Sequence, residues 1–200
     1  MSNRDNRLIK DEHQKAIRAW WEEINSQKGR GLRASLRRCA ELSDAWQSEG
    51  FRALLLKTHT LWKIDGQTWR FTALAIFAAI AAHVKTDDEK ADFGAQLGYP
   101  KGNGPRLSVL RFTRLQRART PDDLLRQLRR AVKMLEGKVN LIDLADSILC
   151  WCREADEIAR HRYSHRPATE FVRIRWAMAY YQAGTADETP DDSTTETTIE

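Results

Sequence analysis

Apolar residues recur every three to four positions along nearly all of this chain, and no stretch alternates at the two-residue period of a strand. That spacing is typical of helices that bury one face. It predicts helical segments near residues 8–27, 32–39, 51–63, 68–85, 105–117, 120–136, 140–158 and 168–183. The pattern therefore predicts an all-α protein.

Turn-forming residues are sparse, and their densest cluster is residues 98–105 (GYPKGNGP). Such a cluster favours a boundary between two packed units. We therefore expect an elongated chain of two small helical bundles, residues 1–98 and 99–184. Residues 185–200 have the composition of a disordered acidic tail.

The chain has no segment suited to a membrane or to export. Its longest apolar stretch, residues 71–84, is 14 residues long, whereas a bilayer needs about 20. The first residues are too polar for a signal peptide. Cys39, Cys150 and Cys152 form neither an even disulfide framework nor a C-x-x-C pair, which suits a reducing compartment. We expect a cytoplasmic protein.

The charge of the chain is unevenly distributed. Lys and Arg number 33 and Asp and Glu number 28, and six of the acids fall in residues 185–200, which hold no basic residue. Without that segment, 33 basic and 22 acidic residues remain, a net charge of +11. A surplus of this size points first to a polyanionic partner such as nucleic acid, and second to an anionic membrane surface.

Residues 120–136 (TPDDLLRQLRRAVKMLE) are the most informative segment. Thr120 suits an N-cap and Pro121 the first helical position. One stripe of the predicted helix is apolar and a second is cationic, and their centres lie about 150° apart at 100° per residue. The cationic stripe consists of Arg126, Arg129, Arg130 and Lys133.

The preceding predicted helix, near residues 105–117, adds to the surplus of basic over acidic residues. Between Arg106 and Lys133 there are nine basic residues and two acidic ones, both at a helix start. A solvated surface helix usually mixes Lys with Glu at i, i+4, whereas here the signs are unmixed and arginine dominates. Arginine makes bidentate contacts with phosphate and stacks on bases. The segment therefore favours a nucleic-acid surface over an ordinary solvated face.

At residues 111–125 (RFTRLQRARTPDDLL) and 128–130 (LRR), the sequence resembles the CasB family, the small subunits of the type I-E CRISPR surveillance complex Cascade. Residues 18–21 (RAWW) and 36–39 (LRRC) add to the likeness, which covers roughly residues 15–183. The extended region at residues 160–183 and the acidic tail depart from the family pattern. This departure predicts extra contacts or an altered assembly at that end.

The resemblance implies a non-catalytic subunit that binds other Cascade subunits, the backbone and large ones, with their guide RNA. It also implies a second copy of the chain and contacts with target or displaced DNA strands that stabilise the R-loop without reading sequence. No metal or cofactor is expected. The candidate nucleic-acid-binding residues are Arg37, Arg38, Arg70, Arg111, Arg114, Arg117, Arg119, Arg126, Arg129, Arg130 and Lys133.

Two other interpretations remain. The junction near Thr120 could belong to a helix-turn-helix of a stand-alone DNA-binding regulator, although two aspartates at the start of the second helix would repel the groove. His161 and His165 have the spacing of metal ligands on one helix face, but Pro167 follows and no third ligand is evident. No P-loop, zincin or hydrolase motif is present, so no enzyme is predicted.

Overall fold

The computed structural model describes residues 7–62, 66–162 and 164–185, and helices account for most of them. The described α-helices are α1 (Asp11–Asn25), α2 (Arg30–Arg38), α3 (Leu42–Gln47), α4 (Glu49–Trp62), α5 (Thr68–Ala81), α6 (Phe93–Gly98), α7 (Val109–Gln116), α8 (Pro121–Met134), α9 (Leu141–Ala159) and α10 (Val172–Thr185). Ala168–Glu170 form a 3-10 turn. The prediction of an all-α fold is confirmed.

A short parallel pairing departs from the purely helical pattern. β1 (Thr86–Asp87) pairs with β2 (Lys138–Val139), with Thr86 opposite Lys138. Each strand is two residues long, which is too short to give a period in the sequence. The pairing joins the loop after α5 to the loop before α9.

α5 lies at the centre of the core because its residues are small and apolar. Residues 73–82 are all buried, and four of the seven residues 73–79 are alanine. Short side chains let neighbouring helices approach from several sides, and α5 packs on α4, α8 and α9. The central position of α5 follows from this composition.

The helices α6 and α10 pack at close range, and glycine makes this possible. A Cβ added at Gly98 would lie 2.1 Å from the carbonyl oxygen of Tyr180, and one added at Gly94 would lie 3.1 Å from Cα of Trp176. The contacts of α6 with α10 and of α5 with α9 both connect residues on the two sides of 98–105. The division into two bundles at that segment stays a prediction.

A buried carboxylate ties the residues before α1 to the core. Asp146 on α9 is fully buried, and its Oδ1 accepts hydrogen bonds from the backbone N–H groups of Leu8 (2.7 Å) and Ile9 (3.2 Å). Arg175 on α10 places Nη2 3.6 Å from the other oxygen. α9 thus organises both the start of the chain and α10.

Within the described ranges, no helix is both long enough and apolar enough to cross a bilayer. The predicted acidic tail falls almost entirely on residues 186–200, outside the described residues.

Candidate nucleic-acid interface

α8 begins and packs as its sequence predicts. Thr120 is the N-cap, and its Oγ1 accepts a hydrogen bond of 3.2 Å from the backbone N–H of Asp123, with Pro121 at the first helical position. The apolar stripe lies against the core, where its members are buried: Leu124, Leu125, Leu128, Ala131 and Val132. The opposite side of the helix is therefore left for charged residues.

That opposite side exposes Arg126, Arg130 and Lys133. Arg126 forms an i, i+3 ion pair with Asp123 at 2.7 Å, and both side chains remain largely exposed. Ion pairs of this kind contribute well under about 1 kcal/mol, so Arg126 can exchange its partner for a phosphate at small cost. No described carboxylate lies within 4 Å of Arg130 or Lys133.

α7 presents a second set of arginines. Phe112 and Leu115 anchor the helix in the core, and the ring of Phe112 stacks on Tyr180 of α10 with centroids 3.9 Å apart. This orientation turns Arg111, Arg114, Arg117 and Arg119 toward solvent, where all four are exposed. None of the four has a carboxylate of the described chain within 4 Å.

Arg129 is placed differently from the rest of its row. It is half-buried, and its Nη2 donates a hydrogen bond to the backbone carbonyl of Cys39, the residue that ends α2. This contact with Cys39 holds Arg129 on the side of α8 next to the end of α2, although Arg129 was predicted to point outward with the rest of the cationic stripe. The members of the stripe that are exposed are Arg126, Arg130 and Lys133.

The basic residues of α2 meet α8 at this link. Arg37 and Arg38 are exposed at the last turn of α2. Arg33, one turn earlier, donates from Nε to the carbonyl oxygen of Ala82 at 3.1 Å. Arg33 was not among the predicted residues, although its i, i+4 spacing from Arg37 was a usable signal.

Burial, together with the positive charges of Arg129, Arg37 and Arg33, lowers the pKa of His83, which follows α5, to about 4. The imidazole is therefore neutral at pH 7. Three guanidinium groups from two helices are close enough to act on one ring, so the arginines of α2 and α8 form one electropositive region around His83.

Arg70 lies apart from that region. It opens α5 while His83 follows the other end, which puts them about 20 Å apart at 1.5 Å per residue. Its Nη1 donates to the carbonyl oxygen of Trp62 at 2.5 Å, and its guanidinium lies 5.1 Å from the Trp69 ring centroid. Arg70 instead shares a cleft with Arg153, Arg160 and Arg162, and Asp156 and Glu157 line the same cleft and pair with two of these arginines. Arg70 is thus separate from the predicted residues of α2 and α8.

Comparison with known families decides what kind of chain this is. The family model described as CRISPR-associated protein Cse2 matches residues 32–181, three quarters of the chain. The chain belongs to the Cse2 family. Cse2 proteins are the small, non-catalytic subunits of type I-E Cascade, so the resemblance to CasB is confirmed. The comparisons with curated proteins and with solved structures gave no match.

The Cse2 match runs from within α2 to most of α10 and contains every predicted arginine. It begins at Leu32, so residues 18–21, which contributed to the resemblance, lie outside it. In α1, Trp20 is buried and donates from Nε1 to the carbonyl of Gly50 at 3.1 Å. That tryptophan holds α1 on α4.

The cysteines of α9 and the pair His161 and His165 are further reactive side chains of this Cse2-family chain. Cys150 and Cys152 are buried on α9, and burial raises the pKa of the Cys150 thiol to about 12, so it stays protonated. His161 and His165 are both exposed. Among the residues described, no three His, Cys, Asp or Glu side chains are grouped so that they could hold a metal ion.

Proposed function

We propose that this Cascade subunit holds the nucleic-acid strands of the R-loop through phosphate contacts from α7, α8 and the end of α2, without reading their sequence. One observation carries the proposal. Exposed arginines project from α7 and α8, and most have no described carboxylate within 4 Å. Side chains of this kind are free to bind phosphate.

Phosphate contacts from arginine side chains are sufficient to favour R-loop formation. Replacing a DNA duplex by an RNA–DNA duplex is nearly balanced in free energy, so protein contacts to the backbone can tip the exchange. Each arginine offers a planar fork that matches phosphate oxygens. Because every contact is electrostatic, binding should weaken steeply with added salt.

The subunit also needs protein contacts, since the Cse2 family implies other Cascade subunits as partners. We propose that a second copy of the chain is one of them. α10 supports this, because Ile174, Met178 and Tyr181 recur at i, i+4 and i+7 and are 42%, 46% and 54% exposed. An exposed apolar stripe of this kind marks a protein-interaction face.

A regulator that reads duplex DNA through α7 and α8 is the competing function. A recognition helix inserts its first turn into the major groove. In this chain, Asp122 in the first turn of α8 accepts a hydrogen bond from the N–H of Leu42 at 2.7 Å, which turns that end toward α3. The geometry therefore favours the strand-holding function.

The decisive experiment is R-loop formation by Cascade reconstituted with this subunit. The test variant replaces Arg111, Arg114, Arg117 and Arg130 by Gln, and a single-site control replaces the exposed Arg52 on α4 by Gln. The test complex should assemble with guide RNA but should leave the displaced strand open to permanganate or nuclease. Full protection of that strand by the test variant would contradict the proposal.

A second measurement separates the two functions. The isolated protein is titrated with labelled single strands and with duplexes of unrelated sequence. A strand-holding subunit should bind all single strands of one length with similar affinity. A preference of a hundredfold or more for one duplex sequence, on the scale of specific readout, would favour the regulator.

A further inference from the structure

Three arginines converge where α2, α5 and α8 meet. Arg33 and Arg37 lie one turn apart on α2, and Arg129 reaches from α8 to the residue that ends α2. All three act electrostatically on His83, directly after α5. The packing of α5 against both α2 and α8 keeps these groups together.

Two of the three guanidinium groups are held in place by backbone carbonyls. Arg33 uses Nε to donate to Ala82, which leaves the N–H groups of both its terminal nitrogens free. Arg129 uses Nη2 to donate to Cys39, which leaves the N–H groups of Nη1 for a ligand, because its Nε is inaccessible to solvent. A guanidinium fixed through one nitrogen loses less side-chain entropy when the others bind a ligand.

No ion pair among the described residues neutralises this group, since no described carboxylate lies within 4 Å of Arg33, Arg37 or Arg129. The carboxylate of Asp44 compensates part of the charge of Arg129 from a greater distance, and its Oδ2 accepts the N–H groups of Ala40 (2.8 Å) and Glu41 (3.1 Å). Burial lowers the pKa of both Arg33 and Arg129, because a partly desolvated cation is disfavoured without an anion.

Buried polar atoms in the same place lack partners. Nε of Arg129 and Nε2 of His83 are both inaccessible to solvent and form no hydrogen bond with any described residue. Buried polar atoms are nearly always paired in folded proteins, and a bound water or ion is one explanation for an unpaired one. Both atoms belong to the group formed by the three arginines and His83.

We propose that Arg33, Arg37 and Arg129 form a preorganised site for one phosphodiester of the bound nucleic-acid strand, beside His83. The inference rests on the proposed function and adds a fixed point to it. The exposed arginines of α7 and α8 supply adjustable charge, whereas this site fixes the position of the strand. Arg33 and His83 thereby become part of the nucleic-acid interface.

The test uses lysine substitutions, which keep the charge and remove the fork. Arg33→Lys and Arg129→Lys are compared with Arg111→Lys and Arg114→Lys in binding to a labelled single strand at fixed salt. At the anchored site, loss of the fork should weaken binding on the order of tenfold, the scale of one charge-assisted contact. The exposed positions should change less than about twofold, because lysine also neutralises phosphate there.

Arg37→Gln gives a test that leaves the internal hydrogen bonds intact, since Arg37 is exposed. Combined with Arg33→Lys in a double-mutant cycle, it should show non-additive losses, because both arginines would contact one phosphate. Circular dichroism and Tm of each variant check folding. Additive losses no larger than those at Arg111 and Arg114 would overturn the site.

Free inorganic phosphate offers the same oxygens to these arginines as a phosphodiester does. A separate experiment therefore titrates the protein with inorganic phosphate at constant ionic strength. In one outcome, Arg33→Lys abolishes tight binding of inorganic phosphate and leaves the affinity for DNA unchanged. That result would show a site for the free ion and would overturn the proposal. If Arg111→Gln and Arg114→Gln weaken DNA binding while the anchored variants do not, only the site fails. If neither set has an effect, the proposed function fails as well.

Discussion

The side-chain carboxylate of Asp122 accepts a hydrogen bond of 2.7 Å from the backbone N–H of Leu42, a residue 80 positions earlier in the chain. Leu42 is the first residue of α3, where backbone N–H groups have no partner within the helix. Asp122 supplies that partner from the first turn of α8. One carboxylate thus starts a short helix and fixes it to the arginine-bearing helix.

Asp122→Ala should therefore lower stability by about 1–2 kcal/mol, the cost of leaving a partly buried donor unpaired. Urea unfolding followed by circular dichroism measures this loss. Asp123→Ala is the matched control, because Asp123 forms only an exposed ion pair with Arg126 and should cost no more than about 0.5 kcal/mol. Equal losses for the two variants would show that the Leu42 contact does not support α3.

The short helix α6 begins in the same way, which explains why the sequence pattern missed both helices. The N–H of its first residue, Phe93, donates to Oδ2 of Asp143 at 2.8 Å, across 50 positions. Helices of six residues are too short to show a period or to form alone. The side chains that stabilise their first turns are distant in sequence, so no local pattern reveals them.

α8, in contrast, was predictable because its signals are local. Thr120 caps it, Pro121 occupies its first position, and its apolar stripe is buried as the spacing requires. Arg129 could not be placed from the same spacing, because its position depends on the carbonyl of Cys39 in another element. Periodicity identifies which face of a helix is buried. It does not identify which side chains beside that face form hydrogen bonds with neighbouring helices.

The pH dependence of stability should change in Asp143→Asn. Burial, together with the nearby negative charge of Asp92, raises the pKa of the Asp143 carboxyl from 3.8 to about 6. A carboxyl whose pKa is raised by folding stabilises the fold at low pH, where it is protonated in both states or only in the native one. That contribution is lost as pH rises from about 4 to about 6.

Asn keeps an oxygen that can accept the N–H of Phe93 but does not ionise. The stability of Asp143→Asn relative to wild type should therefore improve between pH 4 and pH 7, by up to about 3 kcal/mol, the free energy of a shift of this size. Urea unfolding at both pH values measures it. A difference that stays constant across this range would mean that Asp143 has an ordinary pKa in the folded protein.

Single replacements of the exposed arginines should be mild, and combined ones severe. Each Gln at Arg111, Arg114 or Arg117 removes one phosphate contact, which should reduce the slope of log affinity against log salt by about 0.7 on single strands. The triple variant should lose about three times that slope. Fluorescence anisotropy across a salt series measures it, with Arg52→Gln as the control for net charge. Slopes that match the control would remove α7 from the interface.

Self-association should depend on the apolar stripe of α10. Met178 is nearly half exposed between Ile174 and Tyr181, so Met178→Glu places a charge in the middle of the stripe. Burying an unpaired carboxylate between two copies is costly, and the variant should dissociate on sedimentation at concentrations where the wild type associates. Met178→Leu, which keeps the apolar character, should associate normally. Single-strand affinity of the Glu variant per subunit should stay close to that of the wild type, because the arginines of α7 and α8 are unchanged. Unaltered sedimentation of Met178→Glu would exclude this stripe as the contact between copies.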